Sequence, residues 1–256
     1  MTVFIIFLFG LIVGSFLNVV ILRIPQRESI RGRSRCVSCQ KTLRWFELIP
    51  LASYVMLRGK CGSCRTSIAL QYPLVELATA LLFLFVFVQH RELYEKLPVL
   101  YIALIRDWFF IAVLIVLFVQ DLRFQILPDI ITLPAIAVAI TFNILIFKYL
   151  NIFAIAIGGG FFLLQWLVSR GRWVGGGDIR LGALMGAILG WPNILLALFL
   201  AYVSGAIVGG TLLILKRATR KSQIPFGTFL TASTGVTMFW GERIVTWYAK
   251  VIGLNF

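Results

Sequence analysis

The sequence predicts an all-α polytopic membrane protein of about eight transmembrane helices, with one small cytoplasmic loop subdomain built to hold zinc. Three observations carry this prediction. Of the 256 residues, 60% are hydrophobic and only 13% are charged, against roughly 45–50% and about 25% in soluble chains. Uncharged runs such as Phe4 to Leu22 and Ile111 to Val119 sit inside longer apolar segments, and lipid is the solvent that accepts them. The third is four cysteines, arranged as two CxxC pairs in the longest polar stretch.

A span needs about 20 apolar residues. The candidate spans, taken in order, are roughly 3–22, 72–89, 98–119, 129–148, 152–168, 178–191, 193–215 and 228–252. Trp191-Pro192-Asn193 separates the sixth from the seventh by the shortest of connections. The first segment lacks a basic n-region and a small-x-small cleavage signal before Arg23, so it reads as a retained span and not a signal peptide. No internal sequence repeat is evident. The expected organisation is a first helix over 1–22, a cytoplasmic loop over 23–71 and a helix bundle over 72–256.

A net charge of +14 is compatible with nucleic-acid binding. Here, however, the basic residues fall between apolar runs, which points to topology and to no nucleic-acid partner. The stretches 23–71, 120–128, 169–180 and 216–224 together hold 18 of the 24 Lys and Arg. The positive-inside rule places these four stretches in the cytoplasm and both termini outside.

Two acids stand out at the ends of spans. Asp121 closes the third in Val119-Gln120-Asp121-Leu122-Arg123; read blandly, it is a solvated boundary carboxylate beside Arg123. Asp178 follows Gly175-Gly176-Gly177 and opens the sixth; read blandly, it is a helix N-cap. Three glycines exceed what a cap requires, and they let another backbone approach closely. The expected topology brings both acids to the cytoplasmic ends of spans at similar depth. Two carboxylates sharing a site do not both ionise easily, so one is expected to keep a proton. Such a pair can activate water with one member and protonate a carbonyl oxygen with the other. His90, the single histidine, is expected in an external loop and offers no Ser-His alternative. Asp129 after Pro128 reads as an N-cap that restarts the chain near Asp121. Asp107 beside Arg106 reads as an interfacial ion pair far from Asp121 on the same helix.

The cysteines run Cys36-Val37-Ser38-Cys39 and Cys61-Gly62-Ser63-Cys64. Two knuckles so spaced match a four-thiolate tetrahedral zinc site; two disulfides are the alternative, and a cytoplasmic loop argues against them. Four ligands leave no open position, so the zinc is expected to be structural. A loop of this size needs such a staple. Its apolar stretch from Leu48 to Leu57 is expected at the membrane interface.

Together these motifs resemble the type IV prepilin peptidases, the leader peptidase and N-methyltransferase family of intramembrane aspartic peptidases. The resemblance includes Gly14-Ser15-Phe16-Leu17-Asn18-Val19 with Arg23-Ile24-Pro25, and the knuckles around Trp45-Phe46-Glu47-Leu48-Ile49-Pro50. It continues through Tyr72-Pro73-Leu74-Val75-Glu76-Leu77, then Asp121 with Ile126-Leu127-Pro128-Asp129, Gly175-Gly176-Gly177-Asp178 and Ile224-Pro225-Phe226-Gly227. Ser38 and Thr228 stand where many members have proline, and Arg180 where lysine is usual.

The resemblance implies a bacterial inner-membrane enzyme whose substrates are prepilins or pseudopilins. It implies cleavage of a short basic leader after glycine at the cytoplasmic face, by Asp121 and Asp178. Gly175, Gly176, Gly177, Pro128, Asp129 and Arg180 would support the site, with Cys36, Cys39, Cys61 and Cys64 on the metal. It also implies methylation of the new N-terminus from S-adenosylmethionine. No glycine-rich Rossmann fingerprint marks a methyl-donor site in this sequence, so no residue is assigned to that cofactor. A monofunctional peptidase with a purely structural loop is one alternative. A membrane metal or ion transporter is another, although transporters place their acids near the bilayer midplane.

Topology is open to a direct check. In sealed cells, a membrane-impermeant maleimide should label a cysteine introduced at His90 and not one introduced at Ser29. Labelling at position 29 would invert the orientation.

Overall fold

The computed structural model describes residues 1–96, 100–145, 150–217, 219, 222–251 and 253. The predicted segment limits at 98, 148 and 252, and the basic residues Arg220 and Lys221, lie outside the described residues. Among the described residues there are nine α-helices and no extended strand: α1 (Thr2–Arg23), α2 (Ala52–Met56), α3 (Gln71–Lys96), α4 (Leu100–Phe124), α5 (Asp129–Leu145), α6 (Leu150–Ser169), α7 (Gly176–Leu189), α8 (Asn193–Ile214) and α9 (Phe226–Val251). A single 3-10 turn covers Trp45–Leu48.

The eight longer helices fall one on each predicted segment, so the all-α membrane fold holds. Four contain a stretch long and apolar enough to cross a bilayer: Thr2–Arg23, Gln71–Gln89, Tyr101–Phe124 and Asn193–Ile214. Asp129–Leu145 and Phe153–Ser169 are apolar but shorter. The 14 residues of α7 extend about 21 Å at about 1.5 Å per residue, less than the roughly 30 Å hydrocarbon thickness. Against the predicted eight crossings, the described residues form eight longer helices, four of which meet the length and apolarity of a span. His90 lies within α3 and not in a loop.

The chain divides into two compact units, Met1–Val116 and Leu117–Phe256. In the first, α1 and α3 run antiparallel in close contact. A Cβ on Gly10 would stand 2.5 Å from the Cα of Ala80, and one on Gly14 2.7 Å from the Cα of Glu76. An aromatic cluster backs this pair: Phe83 stacks on Trp108 with centroids 5.1 Å apart, and Phe9 tilts against both. The Trp108 indole N–H donates to the Phe83 carbonyl at 3.0 Å, which satisfies the one polar group the ring carries. At the loop end, Asn18 donates to the Tyr72 carbonyl at 3.1 Å and accepts from Gln71 at 3.3 Å. The buried Glu76 carboxylate accepts the Leu51 N–H at 2.9 Å. That bond ties the loop to the head of α3, at a residue whose φ of 57° is left-handed.

In the second unit, α6 and α7 pack backbone to backbone. A Cβ on Gly158 would overlap the Gly182 carbonyl, and one on Gly186 would overlap that of Ala154. Small residues let helices approach in this way where lipid supplies no hydrophobic drive between them. Asn143 of α5 donates to the Ala187 carbonyl at 2.8 Å and accepts from Asn151 of α6 at 2.9 Å, joining three helices by buried polar bonds. Buried Thr231 and Thr234 on α9 return their hydroxyls to carbonyls one turn back, so these polar side chains stay satisfied inside the packing.

The close approach of α6 and α7 makes a specific forecast. Gly158→Ala and Gly182→Ala should each cost at least about 1–3 kcal/mol of stability through overpacking. Gly160→Ala should cost little, because a Cβ there meets nothing within 4 Å. Thermal unfolding in detergent measures the difference, and equal midpoints for Gly158→Ala and Gly160→Ala would refute the contact.

Candidate functional site

Asp121 lies one turn from the end of α4, which stops where Gln125 adopts a left-handed φ of 53°. The residue is 6% exposed. Burying a carboxylate is costly unless donors surround it, and the donors come from the first turn of α9. The Thr228 N–H donates to Asp121 Oδ2 at 2.6 Å, and the Thr228 hydroxyl donates to the same oxygen at 3.0 Å. Gly227 makes this approach possible: a Cβ there would sit 2.9 Å from the Asp121 Cγ. The carboxylate thus fills the N-terminus of a helix supplied by a distant part of the chain, where free N–H groups and the macrodipole favour an anion. The Gln125 side chain donates to the Gln223 carbonyl at 3.3 Å, tying the segment after α4 to the one before α9.

Asp178 is also in a first helical turn, that of its own helix. Gly175 occupies the capping position of α7, Gly176 and Gly177 are helical, and Asp178 is the third helical residue. The bland reading of Asp178 as an N-cap is therefore corrected: the cap is Gly175, three positions earlier. Its Oδ2 instead reaches back to accept the Gly175 N–H at 2.9 Å, the half of a capping box that a glycine cap leaves available. Asp178 is half-buried, and its carboxyl lies within electrostatic reach of Asp121. Residues 57 positions apart in sequence thereby share one polar region. Tyr202 of α8 is within electrostatic reach of Asp178 and exchanges hydrogen bonds with Gln165 at 2.8 and 3.1 Å. Its ring meets Phe226 edge-on at 5.0 Å.

The glycines divide by role. Gly177 abuts Leu127, with a Cβ position 3.0 Å from that side chain, whereas Gly176 faces open space. Pro128 takes the position before α5, and its carbonyl accepts from the Ile131 and Thr132 N–H groups at 3.1 Å. Asp129, expected as an N-cap, is the first helical residue, and its carboxylate pairs with Arg180 of α7. The reason is that a cation on the facing helix competes better for this carboxylate than local backbone donors do. Asp107 pairs with Arg106 at 2.8 Å, as expected.

In the first unit, the Sγ atoms of Cys36, Cys39, Cys61 and Cys64 all lie within 4.8 Å of one another, and the cysteines are free thiols. Tetrahedral ligands at a Zn–S bond of about 2.3 Å stand roughly 3.8 Å apart. Cys36 and Cys64 are 3.8 Å apart. The donor set therefore fits a four-thiolate metal. The knuckles are copies of one turn, a short internal repeat of Cys-x-Ser-Cys that corrects the expectation of none. Cys36 N–H donates to the Lys41 carbonyl and Cys61 N–H to that of Thr66; Gln40 and Arg65 occupy the same left-handed position. Bridges Arg35 to Thr42 and Lys60 to Ser67 close both.

The sulfurs bias one another. Backbone N–H groups of Cys39 and Ser38 lower the Cys36 thiol. The Thr66 hydroxyl and N–H pull Cys64 down to about 6. At Cys39 the Lys41 N–H also favours the thiolate, but desolvation and the neighbouring thiols outweigh it and push it up to about 11. A cation at the centre removes that conflict. Around the knuckles, Trp45, Val55 and Met56 are exposed.

Residues 108–210 match the Type IV leader peptidase family, and residues 8–90 match the Bacterial Peptidase A24 N-terminal domain. A prepilin leader peptidase/N-methyltransferase of Bacillus subtilis is 34% identical over 251 residues, covering 96% of this chain and 98% of its own. The chain belongs to the type IV prepilin leader peptidase family. Relatives of the same description from Aeromonas salmonicida and Pseudomonas aeruginosa are 33% and 32% identical, covering 96% and 97% of this chain and 94% and 93% of theirs. No solved structure matches. Family membership makes the chain a peptidase of the multi-pass membrane kind. It also gives the four-cysteine cluster a family setting, within the N-terminal domain match.

Thr228 and Gly227 escaped the sequence reading as site residues. The sequence shows only a motif ending in Gly227 and a threonine beyond it; their contact with Asp121 spans more than 100 positions.

Proposed function

We propose that this chain removes the short basic leader of type IV prepilins or pseudopilins with Asp121 and Asp178, at the cytoplasmic face of a bacterial inner membrane. The observation that carries the reading is the convergence of two carboxyls from α4 and α7 within electrostatic reach, each at a helix N-terminus. The pair shares one proton. The ionised member takes a proton from water as the oxygen attacks the scissile carbonyl carbon, and the protonated member gives its proton to the carbonyl oxygen. Collapse of the gem-diol breaks the C–N bond, returns one proton to the dyad and passes the other to the leaving amine. The open face beside Gly176 gives an extended substrate backbone room beside Asp178. The Arg180–Asp129 pair holds α7 against α5, and Pro128 sets where α5 begins.

The bundle over 72–256 carries the peptidase, and the loop over 23–71 serves the second reaction, methylation of the newly exposed amine. Cys36, Cys39, Cys61 and Cys64 would hold a structural zinc that folds this loop. S-adenosylmethionine would supply the methyl group, and no residue is assigned to it. The exposed Trp45, Val55 and Met56, beside Arg44, Arg58 and Lys60, suit the interface of an anionic leaflet. The loop's positive charge repels a basic leader, which favours a role at the mature N-terminus.

Purified enzyme and a prepilin-like peptide, with products weighed by mass spectrometry, test both reactions. Asp121→Asn and Asp178→Asn should each lower cleavage by at least about 10²-fold while the protein stays folded. Substantial cleavage by either variant would remove the dyad.

The double variant Cys61→Ser, Cys64→Ser should lose its metal, one zinc per chain in the parent by elemental analysis. It should lose methylation of a pre-cut peptide far more than cleavage of the intact one. Lost cleavage with methylation retained would reverse the assignment of the loop.

A further inference from the structure

The two acids are not equivalent in what surrounds them. Asp121 Oδ2 receives two donors from one residue, the Thr228 N–H at 2.6 Å and the Thr228 hydroxyl at 3.0 Å. Both come from the first turn of a 26-residue helix, and the whole arrangement is buried. Asp178 Oδ2 receives one donor, the N–H of Gly175. A carboxylate oxygen can accept both of Thr228's bonds while charged. Protonated at Oδ2, it would keep the hydroxyl contact only by turning it round, with Thr228 Oγ as acceptor, and the N–H would face a neutral hydroxyl oxygen in place of a charged one, a weaker bond. The geometry at Asp121 is therefore complementary to an anion, and the helix N-terminus behind it reinforces that preference.

We infer that Thr228 is a positioning residue that holds Asp121 as the ionised member of the pair, so that Asp121 takes the proton from water and Asp178 gives its proton to the carbonyl oxygen. This rests on the dyad reading above and assigns the roles within it. With Oδ2 held by Thr228, Oδ1 is the oxygen left to face water, and the proton moves from water to Oδ1. The new C–O bond forms as the carbonyl oxygen takes the proton of Asp178. When the C–N bond breaks, Asp121 gives its proton to the amine, and the gem-diol returns one to Asp178. No other reactant is required. Gly227 belongs to the same device, because any side chain there would collide with the Asp121 carboxyl. Both donors belong to the residue at 228, and a proline there would offer neither.

The test compares Thr228→Val, Thr228→Ala and Thr228→Ser in the full-length enzyme with a prepilin-like peptide, alongside Asp121→Asn. Valine keeps the shape and the N–H and removes the hydroxyl. It should lower kcat by about tenfold to a hundredfold, the effect of losing one hydrogen bond to a charged group, with KM unchanged. Serine restores the donor and should bring kcat to within about threefold of the parent. Alanine should behave as valine and serves if valine does not yield folded protein. Parent-like kcat in valine or alanine would overturn the assignment, as would serine as poor as valine, or a raised KM at constant kcat. So would valine and alanine that both fail to fold while serine folds, since the hydroxyl would then be only a structural prop. Cleavage by Asp121→Asn would sink the dyad itself, whereas an inactive Asp121→Asn with an unaffected Thr228→Val would sink this inference alone.

Discussion

Two hydrogen bonds from Thr228 to the Asp121 carboxylate join the end of α4 to the beginning of α9, and the burial of that carboxylate depends on the junction. Left without donors, a carboxylate at 6% exposure would carry a desolvation cost of several kcal/mol. The helix N-terminus removes much of this cost, since its own N–H groups lack partners within the helix. Each side solves the other's problem: the acid gains donors and the helix gains a cap. Gly227 is the steric condition for that exchange.

The same economy recurs at Asp178. Its helix begins with glycines, so the cap has no side chain, and the carboxylate of the third helical residue bonds the cap's N–H instead. The backbone contact of α6 on α7 through Gly158, Gly182 and Gly186 fixes where this first turn lies. Asn143 and Asn151 hold the far end of the same helices. A 14-residue α7 is short for a span, and its close packing on α6, not its length, fixes where its first turn lies.

In the first unit the problem is different. The loop buries little apolar surface, so its fold depends on the paired knuckles and on ties to the helices, among them the Glu76 carboxylate on the Leu51 N–H and the Arg23 guanidinium on the Ser29, Arg31 and Arg33 carbonyls. In the sulfur cluster the neighbours push the Cys39 thiol up and pull the Cys64 thiol down. Such a conflict is what a tetrahedral cation resolves.

The sequence by itself determined the eight helical segments and singled out the four clustered cysteines and the two acids, because hydropathy, CxxC spacing and an acid at the end of an apolar run are local signals. The family was legible from the order of its motifs. The tertiary structure alone decided that Asp178 is the third residue of its helix and not the cap. It also decided that Asp129 answers Arg180, that the two knuckles are one turn used twice, and that Thr228 closes on Asp121. Each depends on which groups meet across long stretches of chain. A carboxylate in a sequence announces that it needs donors, and only the packing of helices shows which residue supplies them.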